Sequence, residues 1–190
     1  MKEIRSIVSA CLVCELLTII PSLVTRHSAR SEAPSSAQSQ PAVVNSSFEE
    51  VEGNGPKGWK AMTWRPKAEF ALDSSIAHSG KNSVRISSTE GGDASWTIII
   101  PAQPFSRYRL SGWVKTQNLE PGTGRGALFS FQDIGIQTKA ITGTQDWTRL
   151  EILFDSGAND ALSLNCLFGG WGKATGTAWF DDVELELLSG

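Results

Sequence analysis

Few side chains in this sequence are arranged for catalysis. Beyond residue 44 there is one histidine, His78, and one tyrosine, Tyr108. A lyase acting on a polysaccharide needs Tyr or His as acid and base, often beside Arg. Here Tyr108 falls on an inward parity, and His78 lies in the turn-forming run Ala77-His78-Ser79-Gly80. A glycosidase needs two carboxylates across a cleft. Asp181 and Asp182 are strand neighbours directed to opposite sides, so they do not form that pair. A nucleophile elbow, a phosphate loop and H-E-x-x-H are all missing from the sequence. The reading is a non-catalytic chain.

Residues suited to binding are better represented. Read in twos, 105–117 (FSRYRLSGWVKTQ) places Tyr108, Leu110, Gly112 and Val114 on one side of a strand. Arg109, Ser111, Trp113 and Lys115 fall on the other. The same count turns Ala127, Phe129 and Phe131 inward and leaves Ser130 and Gln132 outside. It turns Leu162, Leu164, Cys166 and Phe168 inward, with Ser163 and Asn165 outside, and Leu150, Ile152 and Phe154 inward, with Arg149 and Glu151 outside. Trp171 stands in Gly169-Gly170-Trp171-Gly172, and Trp64 in a loop over 62–66.

Planar amides, hydroxyls and exposed indoles together suit one kind of ligand. A sugar ring has a face of C–H groups and a rim of hydroxyls; indole stacking buries the face, and amides and Arg satisfy the rim. Seven Trp against a single Tyr fits this use. Trp113, Gln132, Asn165, Trp171, Arg149 and Trp64 are therefore the expected ligand contacts. Trp59, Trp96, Trp147 and Trp179 are read as packing residues.

The elements that must position these groups are short strands separated by Gly, Asn, Asp and Pro turns. Strands are expected near 47–51, 67–73, 83–88, 96–100, 107–117, 126–133, 146–154, 161–168 and 177–188. No helical period alternates with them, so the fold class is all-β, a two-sheet antiparallel β-sandwich.

Before that domain, residues 26–44 are rich in Ser, Ala, Gln and Pro and read as a disordered tether. Residues 1–25 carry Lys2 and Arg5 ahead of an apolar run over 7–24, the pattern of a signal peptide or an N-terminal membrane anchor. Export to the medium or the cell surface is expected in either case, with membrane association only through that segment. Cys11 and Cys14 lie inside the apolar run, which offers no redox or zinc setting, and Cys166 alternates with core residues. The net charge of −3 and the lack of a basic patch argue against a nucleic-acid partner. A monomer is expected.

Three motifs add a resemblance. Asn45-Ser46-Ser47-Phe48-Glu49-Glu50 with Gly58-Trp59 opens the domain, His78-Ser79-Gly80-Lys81-Asn82-Ser83 lies in its middle, and Thr177-Ala178-Trp179-Phe180-Asp181-Asp182-Val183 closes it. In this order, around the Y-x-L-S-x-W-V-K strand and a D-W-T-x-L turn, they resemble carbohydrate-binding modules of the galactose-binding-like jelly-roll superfamily. The nearest likeness is to families four, nine and twenty-two, over nearly all of 45–188. The resemblance implies a jelly-roll sandwich binding a polysaccharide or oligosaccharide.

It also implies a structural calcium (Ca2+). Carried over by position, Glu49 and Asp181 would supply carboxylate oxygens, and Ser47 and Lys81 backbone carbonyls. Where such modules often have an acidic or amide side chain this chain has His78, which leaves the set one ligand short. The alternative is that Asp181 caps loop amides without a metal. Two other functions stay open: an extracellular protein-interaction or structural domain on the same scaffold, and an accessory domain of a glycoside hydrolase.

Overall fold

The computed structural model describes residues 42–65 and 67–190; the leader, most of the tether, and Cys11 and Cys14 lie outside them. Eleven strands follow in chain order: β1 (Val51–Glu52), β2 (Gly55–Pro56), β3 (Lys60–Arg65), β4 (Glu69–Asp73), β5 (Ser83–Pro101), β6 (Arg107–Glu120), β7 (Gly126–Phe131), β8 (Ile136–Gln137), β9 (Gly143–Asp155), β10 (Ala161–Gly169) and β11 (Ala174–Ser189). A 3-10 turn, Gln132–Ile134, is the helical segment among the described residues.

All pairings are antiparallel, and two sheets face each other across the core. The first orders β4, the start of β5, β11, β6 and β9. The second orders β3, the end of β5, β10, β7 and β8. This is the expected jelly-roll sandwich. β5 belongs to both sheets because it turns a corner at Gly91–Gly92: Gly91 has φ 97, a left-handed value that disfavours a side chain. The sequence expectation of two separate strands here, near 83–88 and 96–100, is replaced by one strand that bends at this corner.

The alternation holds where one strand face is buried. Tyr108, Leu110 and Val114 of β6, Phe129 and Phe131 of β7, and Leu162, Leu164, Cys166 and Phe168 of β10 are all in the core. Gly112 belongs to this inward set for a steric reason. A Cβ there would lie 2.6 Å from Cζ of Phe129, so the missing side chain admits that ring. Burial pushes the Cys166 thiol well up, in keeping with a packing role.

Three expectations shift. β3 is a strand, so Trp64 sits on a sheet edge and not in a loop. All six residues of β3 are exposed, which removes the apolar alternation that would have revealed it. The segment around 47–50 is a turn, with a strand only at Val51–Glu52. Val43 is buried in the core and Trp59 Nε1 donates to the Val44 carbonyl at 3.1 Å, so packing takes in residues assigned to the tether.

Candidate functional site

A cavity of about 380 Å³ is lined by Trp64, Arg65, Asp93, Gln132, Leu167 and Trp171. It brings together three of the six expected contacts. Trp64 comes from the edge strand β3, Gln132 from the 3-10 turn after β7, and Trp171 from the turn between β10 and β11. A second recess of about 390 Å³ shares Gln132 and Trp171 and adds Arg125, Gly135 and Gln137. Trp64 and Trp171 are 40 % and 48 % exposed, so their indoles are open to a ligand.

The Trp171 turn is built by backbone packing. The Gly169 carbonyl accepts from Arg125 N–H at 2.6 Å, and Lys173 N–H donates to Thr123 Oγ1 at 3.0 Å. A Cβ at Gly172 would meet the Thr123 carbonyl oxygen at 2.3 Å, and one at Gly124 the Gly169 oxygen at 2.0 Å. Only glycine allows these two turns so close. The Arg125 guanidinium then lies 5.1 Å from the Trp171 ring centroid, a cation–π distance.

Arg65, Asp93 and Leu167 were not foreseen at this site. Asp93 is 5 % exposed, and its Oδ1 has no hydrogen-bond partner. Burial pushes the carboxyl above its ordinary range, against the opposing pull of the Trp171 and Gly170 amides and of the Arg65 charge. A charged residue between a Gly-Gly pair and an apolar strand was the signal available in the sequence.

The other expected contacts lie elsewhere. Asn165 is turned away from the core as the parity predicts, but it is buried within the second sheet. Its Oδ1 accepts from Thr97 Oγ1 at 2.8 Å and Ser95 Oγ at 3.1 Å, and its Nδ2 donates to the Ser163 carbonyl at 3.0 Å. Trp113 and Arg149 are cross-strand partners on the first sheet, away from this cavity. The His78 ring lies on Trp113 with centroids 3.9 Å apart, and Trp147 meets His78 edge-on. Arg149 bonds to Ser111 Oγ at 3.0 Å and to Glu151 at 2.5 Å. The structure thus places three of the expected set at this cavity, two on the first sheet and one inside the second.

The expected metal ligands gather around one loop. Asp181 Oδ2 accepts from the amides of His78 at 2.8 Å and Ser79 at 3.2 Å, and Glu49 Oε1 accepts from those of Lys81 and Asn82, both at 2.8 Å. Gly80 lets the glutamate in: a Cβ there would be 2.5 Å from Glu49 Oε1. Ser47 lies in the turn just before Glu49, whose neighbour Ser46 accepts from Val183 N–H at 2.9 Å. Asp181 is fully buried, and no cationic side chain forms an ion pair with it among the described residues. Burial, with the Asp182 charge adding to it, raises its carboxyl to about 6 although three backbone amides pull the other way. Among the described residues no three His, Cys, Asp or Glu side chains converge as a metal group. The donor chemistry fits a hard cation that takes most of its oxygens from carbonyls.

Comparison with known proteins agrees with this architecture. The family described as "Carbohydrate binding domain" matches residues 40–166. The tRNA(Glu)-specific nuclease WapA of Bacillus subtilis subsp. natto is 26% identical over 145 residues, which is 68% of this chain and 6% of that protein. The chain therefore spans a small fraction of that relative's length. Among solved structures, TmCBM61 in complex with β-1,4-galactotriose superposes with a TM-score of 0.52 at 18% identity, covering 78% of this chain and 99% of that one. The CBM22-1–CBM22-2 tandem domain of Paenibacillus barcinonensis Xyn10C gives 0.54 at 18% identity, over 82% and 47% of the two chains. A CBM4 module gives 0.50 at 16% identity, over 75% and 97%.

Proposed function

The chain belongs to the carbohydrate binding domain family, and we propose that it is the non-catalytic, glycan-binding part of an exported protein. The ligand is a polysaccharide or oligosaccharide held in the cavity of Trp64, Gln132 and Trp171. One observation carries this reading: that cavity gathers two open indoles and an exposed amide in a volume of about 380 Å³. Small-ligand sites run from roughly 300 to 1,000 Å³ and combine apolar walls with a few polar groups. The close backbone packing of the Trp171 turn lowers the ordering cost of binding. Asn165 supports the sheet beneath, and Trp113 and Arg149 take no part at this cavity.

A structural calcium belongs to the same proposal. The carboxylates of Glu49 and Asp181 and the carbonyls of Ser47 and Lys81 would hold it, and its charge would offset the burial of Asp181. Export rests on the basic and apolar pattern of residues 1–25.

Affinity electrophoresis tests the glycan reading. Gels containing galactan, xylan, mixed-linkage glucan or mannan should include at least one that retards the folded protein. Identical mobility in all of them overturns the reading. A second reading has one observation in its favour: Val44, Met62 and Ile99, the last 73 % exposed, line an apolar recess. A protein-interaction domain would use that recess and would form oligomers on sizing.

A further inference from the structure

We infer that the glycan this site prefers is anionic: Arg65 and Arg125 flank the indoles of Trp64 and Trp171 with guanidiniums open to the carboxylates or sulfates of an acidic polysaccharide. This rests on the site reading above and adds to it the class of ligand.

The two arginines come from separate elements and reach adjoining recesses. Arg65 ends β3, one residue after Trp64, and lines the cavity with both indoles. Arg125 precedes β7 and lines the second recess with Gln132, Gln137 and Trp171. Its Cζ lies 5.1 Å from the Trp171 ring centroid, which steadies the guanidinium on one face of the indole and leaves the other to a sugar. Gln132 and Trp171 are common to both recesses, so a glycan crossing from one to the other passes both charges. A polymer charged on more than one of its sugars matches that arrangement.

The protein itself neutralises neither guanidinium. Both residues are exposed, and among the described residues neither forms an ion pair. On the first sheet, by contrast, Arg109, Lys115 and Arg149 each pair with a carboxylate. Asp93 is the cross-strand partner of Arg65, yet it is buried in the cavity wall and its Oδ1 has no hydrogen-bond partner, so it does not clamp the arginine. Asp133, next to Gln132, lines neither recess and accepts from Ser163 N–H at 2.6 Å. A chain of net charge −3 thus carries two open cations where its indoles meet the ligand. An arginine fork receives a carboxylate or sulfate through two parallel charge-assisted hydrogen bonds, which a neutral hydroxyl does not match.

Titration calorimetry on the full chain tests this with matched polymers: polymannuronate beside its carboxyl-reduced form, and sulfated xylan beside plain xylan. The wild type should bind at least one anionic member about fivefold or more tighter than its neutral counterpart at about 20 mM salt, and lose most of that preference at about 0.5 M. The two pairs distinguish carboxylate from sulfate. General attraction of the polymer does not produce such a preference, because the chain as a whole is negative. Arg65→Gln combined with Arg125→Gln should bring the affinities within each pair level, and Arg65→Lys combined with Arg125→Lys should keep part of the difference. Equal affinity within both pairs in the wild type, or a preference that survives the loss of both guanidiniums, overturns the inference and leaves the site reading standing. If no polymer of either charge binds, or if Trp171→Ala binds all of them as the wild type does, the site reading falls and the inference with it.

Discussion

The imidazole of His78 lies flat on the indole of Trp113, ring centroids 3.9 Å apart and planes inclined by 17°. Its Nδ1 is 2.6 Å from Asp182 Oδ2, so the loop that carries His78 is pinned to both β6 and β11. One face of Trp113 is thereby used by the protein itself. Trp113→Ala should lower stability by roughly 1–3 kcal/mol, through lost stacking and area. Retention on a glycan gel should be unchanged. Melting curves and affinity gels of the same preparation check both halves.

Trp171→Ala and Trp64→Ala should do the reverse. Trp64 and Trp171 keep 40 % and 48 % of their surface exposed and lie outside the core cluster. Each substitution should reduce affinity by about tenfold or more, equivalent to about 1.4 kcal/mol, and leave the melting temperature within a degree or two of wild type. Titration calorimetry with the retained polysaccharide and a thermal melt give the two numbers.

Asn165 should report on stability alone. Its amide joins Ser95 and Thr97 of β5 to Ser163 of β10 inside the second sheet. Asn165→Ala leaves two hydroxyls and a carbonyl short of a partner, a loss of about 1–3 kcal/mol for each group that water does not reach. Urea denaturation should show a lower midpoint with an unchanged slope.

Asp181 sets a pH dependence with an unusual sign. Its carboxyl titrates near 6 in the fold against an ordinary 3.8, so the folded state binds a proton more readily than the unfolded state. Where the folded state holds the extra proton, stability falls as pH rises. In chelator-treated protein, stability should decline as pH rises from 3.8 to about 6, and stay lower above that. Asp181→Asn should remove that slope. Asp146, held low by Lys115, gives the opposite trend, and only at more acid pH. Denaturation at fixed ionic strength across this range is the measurement.

Calcium should act on the same carboxylate. Removing it with chelator should lower the melting temperature at neutral pH, and millimolar calcium should restore it, because a ligand that binds only the folded state stabilises it. The gain should shrink below pH 6, where protons compete for Asp181. Glu49→Gln should abolish it. No calcium-dependent shift at pH 7.5 would favour the reading in which the loop amides satisfy Asp181 unaided.

The strand pattern was legible because burial on one face writes itself into every second residue. Tyr108, Leu110 and Val114, or Leu162, Leu164, Cys166 and Phe168, need no coordinates to be recognised as inward. β3 was not legible, since an edge strand exposed along its whole length leaves no such record. Parity also could not tell which sheet an outward residue belongs to. Gln132 and Trp113 satisfy the same count, yet one lines the cavity and the other lies under His78 on the opposite sheet.

By itself, then, the sequence determined the all-β class, the inward set of each buried strand, the structural role of Trp59, Trp96 and Trp179, and the candidate side chains able to meet a sugar. Tertiary structure alone decided which of those side chains share a surface. It packed the glycine turn that carries Trp171 against the β5 corner at Gly92, almost eighty residues earlier in the chain, and covered Asn165 and Trp113 with neighbours remote in sequence. The physical reason is that alternation is a local property of one strand, whereas strand order, the β5 corner and the approach of glycine turns are set by contacts between distant segments.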